Sequence, residues 1–341
     1  MNDYLWDRSG PPDPDVERLE RMLGQFRHQP RPIDWSTLAG PPRGVGHDRA
    51  VRRYVPILAT AAAVMIVLSG GWWIGRQTAP HWEVARLEGA PRANGSTVVD
   101  GQRLSRGAWV ETDAISRARI AVGRIGEVDV DPNTRLRIIE SRARDQRMAL
   151  QRGTIHARIW APPRIFAVET PSAVAVDLGC IYSLSVDEAG DSVLRVQAGW
   201  VGFEYDGRES FVPENAMCVT RRGHGPGTPH YSDAPGALKE ALGRLDFEKL
   251  AAGDRSGALA SVLEHARKAD AFTLWHLLAR VTPDERDRVF DRMAMLVPPP
   301  EGVTRDGIRR RNRHMLDLWW DALGLESASW WRIWKGPVPQ R

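Results

Sequence analysis

Two thiols and two imidazoles are the side chains of this sequence whose types could do chemistry together. Cys180 and Cys218 are its only cysteines. An oxidising compartment would permit a disulfide, but a bridge needs Cα atoms within about 7 Å. Spacing along the chain does not settle that, so a bridge and two buried thiols both stay open. His224 and His230 flank part of a glycine-rich run, Gly223-His224-Gly225-Pro226-Gly227. A zinc site needs further ligands at short spacings, and no cysteine or third histidine supplies them, so no metal is expected. A phosphate loop needs free backbone N–H groups between a strand and a helix start. Pro226 removes one, and the run reads as a connecting loop. No GxSxG, HExxH, P-loop or CxxC motif occurs, so neither an enzyme nor a cofactor is indicated.

Charge excludes another class. The 341 residues hold 47 Lys+Arg against 43 Asp+Glu, a formal net charge of +4. Acids and bases are interspersed, which gives no basic face for nucleic acid. The densest basic cluster, Arg309, Arg310, Arg311 and Arg313, reads as a solvated helix face.

The elements that must position these residues fall into blocks. Val55–Ile74 is uncharged, and at about 1.5 Å per residue a helix of this length matches a bilayer core. A transmembrane helix is therefore expected over 54–75. Arg49, Arg52 and Arg53 before it, against Arg76 just after, place residues 1–53 in the cytoplasm and the rest outside, as a single-pass bacterial inner-membrane protein would. In the head, 1–27, Val16, Leu19, Leu23 and Phe26 recur at helical spacing behind Asp13 and Pro14 and form one apolar stripe. Leu5 and Trp6 could cover that stripe, or a cytoplasmic protein could. Residues 28–53 are rich in Pro and Gly and read as a tether.

Beyond the span the period becomes two. Over 82–220, pairs such as Ile120/Val122, Val128/Val130, Leu136/Ile138 and Leu194/Val196 alternate with polar neighbours. Turn signals separate them at Asp131-Pro132-Asn133, Arg152-Gly153, Glu188-Ala189-Gly190 and Asp206-Gly207. This predicts an all-β domain of sandwich or solenoid type. Residues 221–234 read as a linker. From 235 to 326 the period turns helical, with five helices predicted. One starts at the capping box Thr282-Pro283-Asp284-Glu285, and the last runs from near Thr304 to Leu323 with Gly324 at its C-terminus. The tail, 327–341, carries Trp330, Trp331 and Trp334, which suit docking to a partner or contact with a membrane surface. The fold class is thus multidomain: one transmembrane helix, an all-β domain and an α-helical C-terminal domain.

An order of short phrases then points to a family. Gly107-Ala108-Trp109-Val110-Glu111-Thr112, Gln151-Arg152-Gly153-Thr154-Ile155, Phe166-Ala167-Val168-Glu169-Thr170-Pro171-Ser172-Ala173, Asp177-Leu178-Gly179-Cys180-Ile181-Tyr182 and Val196-Gln197-Ala198-Gly199-Trp200-Val201 follow one another. In this order they resemble the FecR domain over residues 94–220. They are packing and turn signatures with no active-site motif among them. The resemblance implies a single-span inner-membrane regulator whose outer β-domain senses a periplasmic or outer-membrane protein or polysaccharide. It also implies that the cytoplasmic head controls an alternative sigma factor, as an anti-sigma factor does. Two features depart from the family: the head lacks its tryptophan-rich pattern, and the C-terminal extension is helical. The alternative is an anchored envelope module that binds a ligand and has no sigma-factor role.

Overall fold

The computed structural model describes Arg18 and residues 81–325. The sheets and helices of residues 81–325 lie within one compact unit. The strands are β1 (Trp82–Glu88), β2 (Arg92–Ala93), β3 (Ser96–Thr97), β4 (Gln102–Leu104), β5 (Trp109–Glu111), β6 (Arg117–Val122), β7 (Gly126–Val130), β8 (Arg135–Arg142) and β9 (Asp145–Ile159). They continue as β10 (Phe166–Glu169), β11 (Val174–Asp177), β12 (Cys180–Val186), β13 (Ser192–Ala198), β14 (Trp200–Tyr205), β15 (Arg208–Pro213), β16 (Ala216–Arg221), β17 (Gly225–Pro226) and β18 (His230–Tyr231).

They form two sheets. The first runs β4-β1-β6-β7-β9-β12-β13-β16, with β17 and β18 on its edge strand. The second runs β3-β2-β5-β8-β9-β10-β11-β14-β15, and only β9 with β10 pairs in parallel there. The alternation seen in the sequence is the reason for this arrangement. Ile120, Val122, Val128, Val130, Leu136 and Ile138 are fully or almost fully buried, while their neighbours face outward. Trp82 of the first sheet packs against Phe166 of the second, ring centroids 6.1 Å apart, and its Nε1 donates to Gln146 Oε1 at 2.9 Å. Burying each such side chain contributes roughly 1.5–3 kcal/mol.

Strand β9 belongs to both sheets, and Gly153 is where it crosses. Residues before Gly153 pair with β8 and β10, and those from Gly153 on pair with β7 and β12. Gly153 has φ 93°, and a Cβ there would collide with the Thr134 side chain and backbone. The backbone groups freed at the bend are satisfied by hydroxyls: Thr154 N donates to Thr134 Oγ1 and Thr134 N to Thr112 Oγ1, both at 2.9 Å. Arg152-Gly153, expected as a turn, is thus a bend inside one continuous strand.

The helices are α1 (Gly236–Phe247), α2 (Ala252–His265), α3 (Ala271–Leu278), α4 (Pro283–Leu296), α5 (Arg305–Arg309) and α6 (Arg313–Asp321). Thr282 caps α4 with the reciprocal Glu285 contact that its sequence promises. The last predicted helix is instead two. Arg311 takes the left-handed φ of 57°, and the Asn312 side chain accepts from Met315 N to start α6 afresh.

Two expectations need correcting, and the open question of the two cysteines is settled. The segment 221–234 is not a free linker: Gly223 (φ 80°) lies in the tight turn that brings β17 back onto β16, and β18 pairs with β16 as well. Cys180 and Cys218 are two free, buried thiols. Cys180 sits opposite Ile159, and Cys218 opposite Leu194, so the registers do not pair them. The transmembrane helix, and with it the single-pass inner-membrane location, is not supported. Among the described residues no helix is long and apolar enough to cross a membrane. A span needs about 20 apolar residues, and the longest described helices, α2 and α4, have 14 each and charged faces. Residues 54–75 themselves lie outside the described residues. What the structure shows is a mostly β part followed by a helical region.

Candidate functional site

Every residue of α3 is buried. A helix that is apolar all round must be covered on all sides, and here β15 lies on one side and α6 on another. His276 is buried, and its Nε2 lies 3.1 Å from the Phe211 carbonyl of β15, which makes Nε2 the protonated nitrogen. Burial, and then the nearby Arg280 charge, holds its pKa well below the ordinary value, so the ring is neutral. Trp275 donates Nε1 to the Leu316 carbonyl at 2.7 Å and meets Trp320 edge-on at 4.7 Å. Trp320 in turn touches Trp200 of β14 at 5.9 Å. These contacts weld the helices to the second sheet.

Arg280, two residues past α3, is the polar centre of this seam. Its Nη2 donates to Ser210 Oγ at 2.6 Å and to the Glu209 carbonyl at 3.1 Å, and its Nη1 donates to Thr228 Oγ1 at 3.0 Å. Asp246 of α1, 5% exposed, lies 3.5 Å from Nη1 and also accepts from Arg208 Nη2 at 2.7 Å and from Thr228 N at 2.6 Å. Burial pulls the Arg280 pKa down from its usual range, and Asp246 opposes that pull. Cys218 lies beside this node, donates to the Gly227 carbonyl at 3.2 Å, and has its thiol pushed up to about 12 by burial. It is inert at neutral pH.

Above the node opens a cleft of about 590 Å³. Its apolar wall comes from Phe211, Leu245, Trp275 and Val281, and its polar floor from Arg208, Asp246 and Arg280. At the break between α5 and α6, Arg311 and Arg313 complete its lining. The arginine cluster expected as one solvated helix face is therefore divided by that break. Arg309 is paired with Asp284 and Asp287, Arg310 with Asp306, and the other two reach the cleft. A second cleft of about 650 Å³ lies over the second sheet, where Arg147 is held by Asp145 and Glu169, and Glu140 lies near Arg106 and Arg142.

The chain positions singled out beforehand are scattered. His230 is buried with Nδ1 against the Tyr231 carbonyl at 3.0 Å, while His224 lies edge-on to Phe247 at 6.3 Å. Among the described residues no three His, Cys, Asp or Glu side chains are grouped to hold a metal ion. Cys180 donates to Asp177 Oδ2 at 2.7 Å, and β13 lies between its strand and that of Cys218. The proposed head residues Leu5, Trp6, Val16, Leu19, Leu23 and Phe26 and the tail residues Trp330, Trp331 and Trp334 lie outside the described residues. Sequence reading missed Arg280, Asp246 and His276. A cation closing an apolar helix reads locally as no more than a complement to its dipole.

Over residues 81–325 the structure is thus a two-sheet β part sealed by helices, with a cleft at the seam. Residues 108–202 match the family model described as FecR protein. The matched segment runs from just before β5 into β14. Two crystal structures of a candidate anti-sigma factor from Parabacteroides distasonis ATCC 8503 are each 16% identical to this chain. Each alignment covers 39% of this chain and 63% or 62% of the other, with a TM-score of 0.32. This chain thus spans less than two thirds of that protein, a likeness too slight to carry fold or function across. No curated protein sequence matches the chain.

Proposed function

We propose that the protein is a FecR-type regulator of a sigma factor. The unit of residues 81–325 receives the signal, and the head, residues 1–27, holds the sigma factor on Val16, Leu19, Leu23 and Phe26, with Leu5 and Trp6 beside them. Trp330, Trp331 and Trp334 give the tail a second docking surface for a protein partner. The observation that carries this reading is the FecR match over residues 108–202. It is supported by the regular stripe in the head, since a short amphipathic helix needs a covering surface to be stable. The test is co-expression of the full chain with each alternative sigma factor of its host, followed by affinity capture. One sigma factor retained by the native chain and released by the Leu19→Asp, Leu23→Asp variant supports the proposal. Retention by both chains overturns the contact face, and capture of no sigma factor overturns the partner.

A further inference from the structure

The cleft at the seam carries more positive charge than its own acids cancel. Five arginines and three carboxylates line it. Arg208 and Arg280 share the single carboxylate of Asp246, and Arg255 is held by Glu285 at 2.8 Å. Arg311 and Arg313 are exposed and have no ion-pair partner among the described residues. Behind Val281 lies another guanidinium, Arg286, whose nitrogens all donate to carbonyls, those of Leu278, Arg309 and Val281. No carboxylate stands within salt-bridge distance of it among the described residues. Its charge therefore adds to the field at the cleft, where low-dielectric walls focus it.

The remaining wall is apolar and aromatic: Phe211, Leu245, Trp275, Leu277 and Val281. These two halves select one ligand chemistry. A bare inorganic anion would meet the arginines and leave the apolar wall unfilled. A neutral apolar molecule would fill the wall and make no use of Arg311 and Arg313. The volume, about 590 Å³, is that of a small-molecule site. We infer that the cleft binds an organic carboxylate, its oxyanion held by Arg311 and Arg313 and its apolar body laid against Trp275 and Leu245. A planar guanidinium grips a carboxylate through two parallel hydrogen bonds, which gives direction as well as affinity. Because α3 and β15 form both the wall and the welded seam, the ligand would bear on the joint between helices and sheet. The inference rests on the reading of residues 81–325 as the signal-receiving unit.

The test uses the full chain, with calorimetric titration of 4-phenylbutyrate and of its uncharged amide. Arg311→Asn keeps a residue that tolerates the left-handed backbone, and Arg313→Gln keeps a polar side chain. The acid should bind about tenfold more tightly than the amide, and the Arg311→Asn, Arg313→Gln pair should abolish that difference. Arg142→Gln, in the cleft over the second sheet, should change nothing. Equal binding of acid and amide, undiminished binding of the acid by the double variant, or no heat of binding overturns the inference. A peptide ending in a free phenylalanine carboxylate, run beside its amidated form, separates the two sources of such a group. Tighter binding than phenylbutyrate assigns the site to a protein terminus, and weaker binding assigns it to a free metabolite. Sigma-factor capture is read separately. If capture survives while carboxylate binding fails, this inference falls alone; the reverse result removes only the sigma-factor reading.

Discussion

Arginine meets carboxylate in two quite different places in this molecule. On the outer face of the first sheet, Arg119 donates to both oxygens of Asp129 at 2.6 and 2.9 Å, Arg158 bridges Glu127 and Asp129, and His156 and Arg117 share Asp131. At the seam, Arg208 and Arg280 share Asp246 among buried neighbours. The chemistry is the same and the solvent is not. Burial raises the Asp129 and Asp131 pKa values, but hydrogen bonds from Arg119 to the former, and from Arg117 and His156 to the latter, outweigh it and leave both below the ordinary value. Exposed pairs of this kind are worth about 0–1 kcal/mol each, because water screens them and their side chains lose freedom. A buried group is different, since removing its partner strands a charge away from water.

A third carboxylate completes the contrast. Asp177 is buried, its nearest donors are Cys180 Sγ and Gly179 N at 2.7 Å each, and among the described residues no arginine forms an ion pair with it. Burial outweighs those hydrogen bonds and raises its pKa to about 7. The Tyr182 hydroxyl, also buried, has its pKa pushed well above the usual range by burial and by the nearby Asp177 charge. Burial alone thus keeps a carboxyl group protonated near neutrality, whereas burial beside two guanidiniums makes a structural ion pair.

Breaking the buried node should have the largest effect. Asp246→Ala leaves Arg280 and Arg208 without their shared counter-charge and should lower unfolding stability by about 3–5 kcal/mol, measured by urea denaturation. A loss no larger than that of a surface pair would dissolve the distinction between the two regions. Asp177 sharpens the comparison through pH. Its folded pKa lies above the unfolded value of 3.8, so the folded protein binds the extra proton between pH 3.8 and about 7. Its contribution to stability is fully present below pH 3.8 and is lost as pH rises through 7. Asp177→Asn, which mimics the protonated acid, should melt with the native protein at pH 4 and be more stable at pH 8 by about 2–4 kcal/mol. Parallel melting curves at both pH values would show that Asp177 is ionised in the fold. The smallest effect belongs to the outer ladder: Arg119→Ala should cost under about 1 kcal/mol, and less still in high salt.

Much of this organisation was legible in the sequence, and the exceptions share a cause. The period of two through β6, β7 and β8 and the capping box at Thr282 are local patterns, and local patterns survive folding. Gly153 was legible as a glycine that had to bend the chain, but not as the point where one strand leaves a sheet for another. The collision that forbids a side chain there comes from Thr134, on another strand. Asn312 carried the signal for a new helix start, hidden inside a run of apolar and basic residues that reads as one helix.

By itself, the sequence determined that a β-rich part precedes a helical one, that its phrases resemble the FecR domain, and that no catalytic motif is present. Side-chain period, turn residues and caps act over a few positions, so they can be read without a fold. The tertiary structure alone decided that the two thiols stand apart and that the helices are welded to the second sheet. It alone also set two arginines over an apolar cleft. Those outcomes depend on contacts such as His276 with Phe211, 65 positions apart. Only burial decides whether such a distant partner meets a charge in water or in the interior.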